Sequence, residues 1–309
     1  MIKNDLNQFE VPIVLIIFNR FDITQHTLQI LREFKPKQLF VIGDGPRKHI
    51  LQEQEKINRT RDVIQTVDWG CDLKKKYSNI NLGCKENISQ GLTWVFNQVH
   101  EAIILEDDCV PDLSFFRFCR ELLEYYRHDR RVMAISGDNF QLGKCRTEYS
   151  YYFSRYPHCW GWATWRRAWQ LYDEQMSLWP EIRDGGWLND ILLYKPEERY
   201  RRKIFQRVYE NKIDTWDYRW TLTCWQQNGL TVLPKVNLVS NIGFGDDGSH
   251  TKDKYNPFSR MSTENLDFPL KHPPFLIRDA RADRFTYRIM FSFWTRARRK
   301  LLSILKKRI

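Results

Sequence analysis

The 309-residue sequence contains no Cys-x-x-Cys pair, and its seven cysteines are scattered and odd in number. A zinc knuckle needs ligands paired at short spacing, so that class is excluded, and a disulfide scaffold does not suit this length. The expectation is buried free thiols in a reducing compartment. No run of about 18 uncharged apolar residues occurs, so no membrane-crossing helix is expected. The opening segment, Met1 to Glu10, has no apolar signal core, which points to a cytoplasmic protein. Internal repeats and low-complexity linkers are also missing, so one continuous architecture is expected.

What is present is a large apolar and aromatic content. Hydrophobic residues make up 42% and aromatics 15%, enough for a sizeable core, and there are 12 tryptophans. Aromatic rings serve as platforms for sugars and nucleobases, although most tryptophans simply pack in cores. The formal charge is +11, but Arg284, Arg288, Arg296, Arg298, Arg299, Lys300, Lys306, Lys307 and Arg308 form a block with no acid among them. Without that block the body is nearly balanced, so the basicity is local and does not indicate a nucleic-acid surface.

Hydrophobic periodicity gives an alternating order. Val11 to Phe18 and Gln38 to Ile42 read as buried strands, with a helix between them capped by Asp22 or Thr24 and stopped by Pro36. Lys48 to Val67 reads as a solvent-facing helix, 74–79 as a weaker strand and Asn81-Leu82-Gly83 as a turn. A helix over Lys85 to Val99, a strand over Ala102 to Leu105, a helix over Asp112 to Tyr126 and a strand over Val132 to Ser136 follow. Further on, Tyr149 to Phe153, Trp160 to Thr164, Thr231 to Leu233 and Val236 to Val239 are short strand candidates. Asp214 to Asn228 reads as a helix closed by Gly229. This alternation predicts an α/β fold with a mostly parallel sheet flanked by helices.

The most informative run is Ile103-Ile104-Leu105-Glu106-Asp107-Asp108, a buried strand that ends in three acids. Adjacent carboxylates repel one another, and their oxygens are the ligands that hard divalent cations prefer. The alternative is an acidic loop feeding a helix that Asp112 caps. In parallel sheets, ligands bind beyond the carboxyl ends of the strands. Asn19-Arg20, Asp44, Glu106-Asp107-Asp108 and Asp138-Asn139 all fall at such ends, which favours a site.

These residues resemble a known family. The segments VPIVLIIFNR, VIGDG, NLGCKENISQGL, IILEDDCVPDLSFF, HCWGWATW, TWDYRW and NIGFGDDGSHT, in that order, are similar to nucleotide-sugar glycosyltransferases of the GT-A (Rossmann-like) fold. The pattern is that of inverting N-acetylglucosaminyltransferases with a Glu-Asp-Asp form of the DXD motif, and of the bacterial hemolytic-protein-like group. The resemblance covers about Val11 to His250. It implies Mn2+ or Mg2+ held by Asp108, with Asp107 toward the ribose or the metal's waters and Glu106 toward a sugar hydroxyl. The metal would neutralise the leaving diphosphate as a Lewis acid. Arg20 and Asp44 fit a nucleotide pocket, since a carboxylate can accept the imide hydrogen of uracil and an arginine can reach base or phosphate. Asp44 between two glycines can equally be a turn residue. Asn87 falls where the family contacts the base, and Trp162 falls beside donor sugar or acceptor, with a core tryptophan as its alternative.

Inversion needs a base that takes the acceptor's hydroxyl proton on the face opposite the leaving group. The resemblance assigns it to Asp217 in Trp216-Asp217-Tyr218-Arg219-Trp220; a helix-capping role is the alternative, and Asp214 is the rival for both. The loop 243–250 matches a segment closing over the diphosphate, with His250 or Lys252 on phosphate, although Asp246 and Asp247 depart from a phosphate-facing loop. The implied division is a catalytic domain over 1–283 (a nucleotide-binding half, 11–140, and an acceptor half, 141–283) and a basic amphipathic tail over 284–309. Such a tail suits the inner face of an anionic membrane, in keeping with a glycan or lipid-linked acceptor, since many bacterial acceptors are lipid-linked or envelope glycans; a helix docked on the body is the alternative. Three rival functions share some of these features. A sugar nucleotidyltransferase would carry a Gly-rich loop where this chain has Asn19-Arg20-Phe21-Asp22. A glycoside hydrolase would need no nucleotide. A non-catalytic carbohydrate-binding module would not need acids at several strand ends.

Overall fold

The computed structural model describes residues 9–192, 194–244, 256 and 258–292. The first part of the chain runs β1 (Ile13–Ile17), α1 (Phe21–Phe34), β2 (Gln38–Gly43), α2 (Glu53–Ile64), β3 (Asp72–Tyr77), α3 (Gly83–Phe96), β4 (Glu101–Glu106), β5 (Cys109–Pro111), α4 (Leu113–Tyr125) and β6 (Val132–Ser136). Then follow β7 (Tyr151–Ser154), β8 (Trp162–Trp165), α5 (Arg166–Trp169), α6 (Trp179–Asp184), α7 (Leu188–Ile191), α8 (Lys195–Tyr209), α9 (Asp217–Gln226), β9 (Leu230–Pro234), β10 (Val239–Asn241) and α10 (Ala280–Met290). Eight strands form one mixed sheet in the order β3-β2-β1-β4-β8-β6-β9-β7, and β10 pairs with β5 in a separate ribbon.

The expected α/β architecture is present. β3, β2, β1 and β4 are parallel neighbours, as are β6 and β9. β8 enters antiparallel between β4 and β6, so strands from the second half of the chain complete the sheet begun by the first. Successive residues of the central strands bury on opposite faces. Ile13, Leu15, Ile17, Ile103 and Leu105 pack with α1 and α4, whereas Val14, Ile16, Ala102 and Ile104 pack with α3, α8 and α9. Burial on both faces is why these strands read as unbroken apolar runs. The α4 helix is fixed by its cap and its apolar stripe together. The Asp112 carboxylate accepts the Ser114 N–H at 2.8 Å, and Phe115, Phe118, Cys119 and Leu122 recur at helical spacing on the buried side.

Several sequence expectations shift. Arg20 occupies the N-cap position of α1 with no side-chain cap, because its guanidinium is engaged elsewhere, and Asp22 falls in the first turn. Residues 48–52 do not join α2. The turn after α9 places Asn228, not Gly229, in the left-handed region (φ 50°), while Gly229 lies flat against Met133. The strand expected over Val236 to Val239 is displaced to β10, because its partner is the short β5 rather than the main sheet. The boundary expected at residue 284 falls inside α10. That helix is anchored to the body, since the buried Asp283 accepts a hydrogen bond from Ser154 at 2.6 Å. All seven cysteines are free thiols. Among the described residues no helix is long and apolar enough to cross a membrane.

Candidate functional site

A cavity of about 670 Å³ opens at the carboxyl ends of β1, β2, β4 and β6. Arg20, Asp44, Asn87, Glu106, Asp107, Asp108 and Asp217 all line it, as do Asp138 and Asp214. The four polar clusters read from strand ends therefore converge, except that the Asn19 amide is tied to Glu53 at 2.9 Å and Asn139 bonds the Pro234 carbonyl at 2.6 Å.

The acidic corner is built by β4 and the β5–β10 ribbon. Backbone bonds hold it rigidly: Asp107 N–H to the Ile16 carbonyl at 2.9 Å, and Ile242 N–H to the Asp108 carbonyl at 2.9 Å. Arg20 donates to both oxygens of Asp107 and, at 2.9 Å, to Oδ2 of Asp108. Asp108 Oδ1 is approached by the Asn241 amide at 3.3 Å. Gly243 packs directly on this carboxylate; a Cβ there would lie 1.9 Å from Asp108 Oδ2. The expected place of Asp107, facing ribose or metal waters, is corrected by this geometry, because its side chain is only 2% exposed and is committed to Arg20.

Electrostatics follow from crowding. Burial, then the charges of Asp108 and Asp107, push the Glu106 carboxyl up to about 8. Burial raises Asp107 to about 6 against the pull of Arg20. Burial works against the charge of Arg20, but Asp107 and Asp108 overcome it and hold the guanidinium protonated. The corner thus carries more acid than its single arginine balances, which is a setting for a cation.

Among the described residues no three His, Cys, Asp or Glu side chains form a metal-binding group. The donor set therefore fits only a cation that keeps its waters and takes one carboxylate from the protein, as Mg2+ and Mn2+ do at phosphates. Asp108 could supply that ligand. Its Oδ2 has a lone pair left beside the bond from Arg20.

The start of α9 supplies another part of the lining. Asp217 is its first residue, faces the cavity, and accepts a hydrogen bond from the Thr215 hydroxyl. Asp214 does something different: its two oxygens accept the N–H groups of Cys84 and Lys85 at 2.9 and 3.0 Å. These are otherwise unpaired donors at the start of α3, so Asp214 is a helix cap supplied from a distant part of the chain. Asn87 points into the cavity from the second turn of α3 and is 8% exposed.

Two expected contacts are corrected. Asp44 accepts four hydrogen bonds: from the backbone N–H groups of Gly45 and Leu82 at 2.8 Å, from that of Gly83 at 3.0 Å, and from the Asn81 amide at 2.9 Å. That fills a carboxylate's lone pairs and makes Asp44 the tie between β2 and the turn before α3, not a free acceptor for a base. Trp162 is a core residue, 1% exposed and stacked on Trp216 with ring centroids 5.4 Å apart. The tryptophans that line the cavity are Trp160 and Trp216. His250 lies outside the described residues, as does residue 252.

Sequence reasoning missed the far end of the cavity, lined by Tyr156, His158, Arg201, Tyr218, Met290 and Phe291. It also passed over the burial of Asp138, whose Oδ1 has no partner among the described residues and whose carboxyl burial raises well above its usual range. Only the polar Asp138-Asn139 pair after a buried strand signalled that corner.

No family model matches this chain, and no curated protein does. Solved structures give low-level likenesses. A UDP-glucose pyrophosphorylase complexed with UDP-glucose is 7% identical, with 72% of this chain and 90% of that one covered and a TM-score of 0.37. A UTP-bound UGPase from Acinetobacter baumannii is 7% identical, with 72% and 86% covered and a TM-score of 0.37. A 4-diphosphocytidyl-2C-methyl-D-erythritol synthase from Anaerococcus prevotii is 10% identical, with 54% and 76% covered and a TM-score of 0.33. At these scores the likeness carries no argument about function.

Proposed function

We propose that the protein is a metal-dependent inverting glycosyltransferase that moves a sugar from a nucleotide diphosphate donor, a UDP-sugar such as UDP-N-acetylglucosamine, to a hydroxyl of a glycan or lipid-linked acceptor. One observation carries the reading. A single cavity is lined by Glu106, Asp107 and Asp108 at the end of β4 and by a further carboxylate, Asp217, from the start of α9. In this reading Asp108 holds Mn2+ or Mg2+, which supplies Lewis-acid neutralisation of the donor's diphosphate. Arg20 fixes Asp107 and Asp108 and so positions that ligand. In the same reading Glu106, which lines the cavity, takes a donor sugar hydroxyl, and Asn87 takes the nucleotide. Asp217 takes the proton of the acceptor hydroxyl as the new bond forms at the anomeric carbon.

The test is a calorimetric titration with UDP in the presence and absence of Mn2+, followed by donor turnover with and without EDTA. Manganese-dependent UDP binding and loss of turnover in chelator are expected. Undiminished transfer in EDTA refutes the metal's role. The Asp217→Asn variant is expected to keep UDP binding and lose turnover by at least ~100-fold, within the usual range for general-base removal. A near-normal kcat reassigns the base.

A sugar nucleotidyltransferase is the second reading. The turn after β1 speaks against it, because Phe21 already begins α1 and the Asn19 amide is tied to Glu53 at 2.9 Å, leaving no open phosphate loop. Pyrophosphate release from UTP and a sugar 1-phosphate is its assay. We also propose peripheral contact with an anionic membrane on the cytoplasmic side. Lys144, Arg146, Arg281, Arg284 and Arg288 line a groove of about 380 Å³ on and beside α10, where the basic block begins. Co-flotation with phosphatidylglycerol vesicles, weakened by Arg281→Glu with Arg284→Glu, checks it.

A further inference from the structure

The cavity has a second charged end, which the transfer reading above leaves unused. Arg201 lies on α8, is 2% exposed, and lines the cavity. Its guanidinium carbon lies 4.5 Å from the ring centroid of Phe291, 5.2 Å from that of Tyr156, 5.3 Å from Trp225 and 5.8 Å from Tyr218. Among the described residues nothing accepts a hydrogen bond from it, and its Nε is buried without a partner. The nearby acids are already taken. Glu197 accepts from the Tyr156 hydroxyl and from Arg155 at 2.9 Å, and Glu198 accepts from Arg202 at 2.7 Å. Aromatic faces attract the cation, but they leave its in-plane N–H donors unmet. A buried charge without hydrogen-bonded partners is destabilising unless something else pairs with it. A second unmet polar atom belongs to the same lining: His158 Nε2 is buried and, among the described residues, has no partner. Burial and the charge of Arg201 drive that ring down to about 3, so it is neutral.

The two ends of the cavity therefore have opposite signs. The paired carboxylates Asp107 and Asp108 disfavour a bare anion at one end, whereas Arg201 at the other has five donors and, among the described residues, no acceptor. Tyr218, in the wall around Arg201, directly follows Asp217 on α9. We propose that this end is an oxyanion subsite for the acceptor, in which Arg201 pairs with a phosphate or carboxylate borne by a sugar whose ring rests on Tyr156, Tyr218 and Phe291. The proposal rests on the glycosyltransferase reading for the word acceptor, and on the unpaired arginine for the anion.

The experiment titrates the full chain, without metal or nucleotide, with glucose, glucose 6-phosphate and glucuronate. One or both charged sugars are expected to bind at least tenfold more tightly than glucose; preference between them identifies phosphate or carboxylate as the source. Arg201→Met is expected to abolish that preference while the UDP–manganese titration stays as in wild type. Equal binding of all three sugars to the wild-type chain overturns the proposal without reference to any variant. A charge preference that survives in Arg201→Met overturns it too. Failure of UDP–manganese to bind wild type refutes the transferase reading alone, because the sugar titrations are read without it.

Discussion

Replacing Gly243 by alanine is the sharpest probe of the acidic corner. The added Cβ would lie 1.9 Å from Asp108 Oδ2, 2.6 Å from its Cγ and 2.7 Å from Arg20 Nη1. Real contacts of that kind do not fall below 3.0 Å, so the carboxylate must retreat by more than about 1 Å. It cannot swing away freely. Arg20 and Asn241 hold its oxygens, and the backbone bond from Ile242 holds its carbonyl. A displacement of about 1 Å of a positioned group costs on the order of 10²-fold in rate. Overpacking of this size costs about 1–3 kcal/mol in stability, which for a chain of this length is a fall of several degrees in Tm. Gly243→Ala is therefore expected to lose about 100-fold in kcat/KM and to weaken UDP–manganese binding while remaining folded. Tryptophan emission is a suitable readout for the titration, since Trp160 and Trp216 line the cavity. Gly143→Ala is the control: its backbone is left-handed at φ +77° but no atom lies within 4 Å of the new Cβ. It is expected to lose about 1 kcal/mol of stability and no metal response. If Gly243→Ala binds UDP–manganese as tightly as wild type, Asp108 is not the metal ligand and the reasoning fails.

Two further outcomes follow from the same coordinates. Asp214→Ala removes the acceptor of two N–H groups at the start of α3 and is expected to cost about 0.5–2 kcal/mol in denaturant unfolding. Its kcat should stay within a few-fold of wild type, and a loss as large as that of Asp217→Asn would show that the two acids share the base role. Asp283 is buried beside Arg155 and Arg278, and burial, against the pull of Arg155, raises its carboxyl to about 6. An unfolded aspartate ionises near about 3.9, so the folded state binds this proton more tightly. Its contribution to stability is then present below about pH 4, falls on the order of 2–3 kcal/mol as pH rises to about 6, and is flat above that. Urea melts of wild type and Asp283→Asn between pH 4 and 7 should diverge over that window; parallel curves refute the shift.

The half of the site that can be read in the sequence is the half built from contiguous residues. β1, β2, β4 and β6 are buried on both faces, so each is an apolar run, and the first polar residues after such a run must emerge at the sheet's carboxyl edge. Arg20, Glu106, Asp107, Asp108 and Asp138 are found this way. The far end is not legible, because Arg201 sits in the run Arg199-Tyr200-Arg201-Arg202-Lys203, which has the composition of a solvated helix face. The rings that bury it come from β7's end, α9 and the end of α10, and nothing local announces them. Asp214 and Asp217 show the limit most clearly. They are three residues apart, and their neighbours, Ile213 and Thr215 for one and Trp216 and Tyr218 for the other, do not say which is the cap. What separates them is where the N-terminus of α3 lies, and that is set more than a hundred residues earlier, by a turn that Asp44 holds in place. Once two backbone N–H groups have claimed Asp214, the carboxylate left facing the cavity at that wall is Asp217. In the proposed transfer, the choice of Asp217 over Asp214 as base rests on that helix cap, and it stands or falls with the contrast between the two variants.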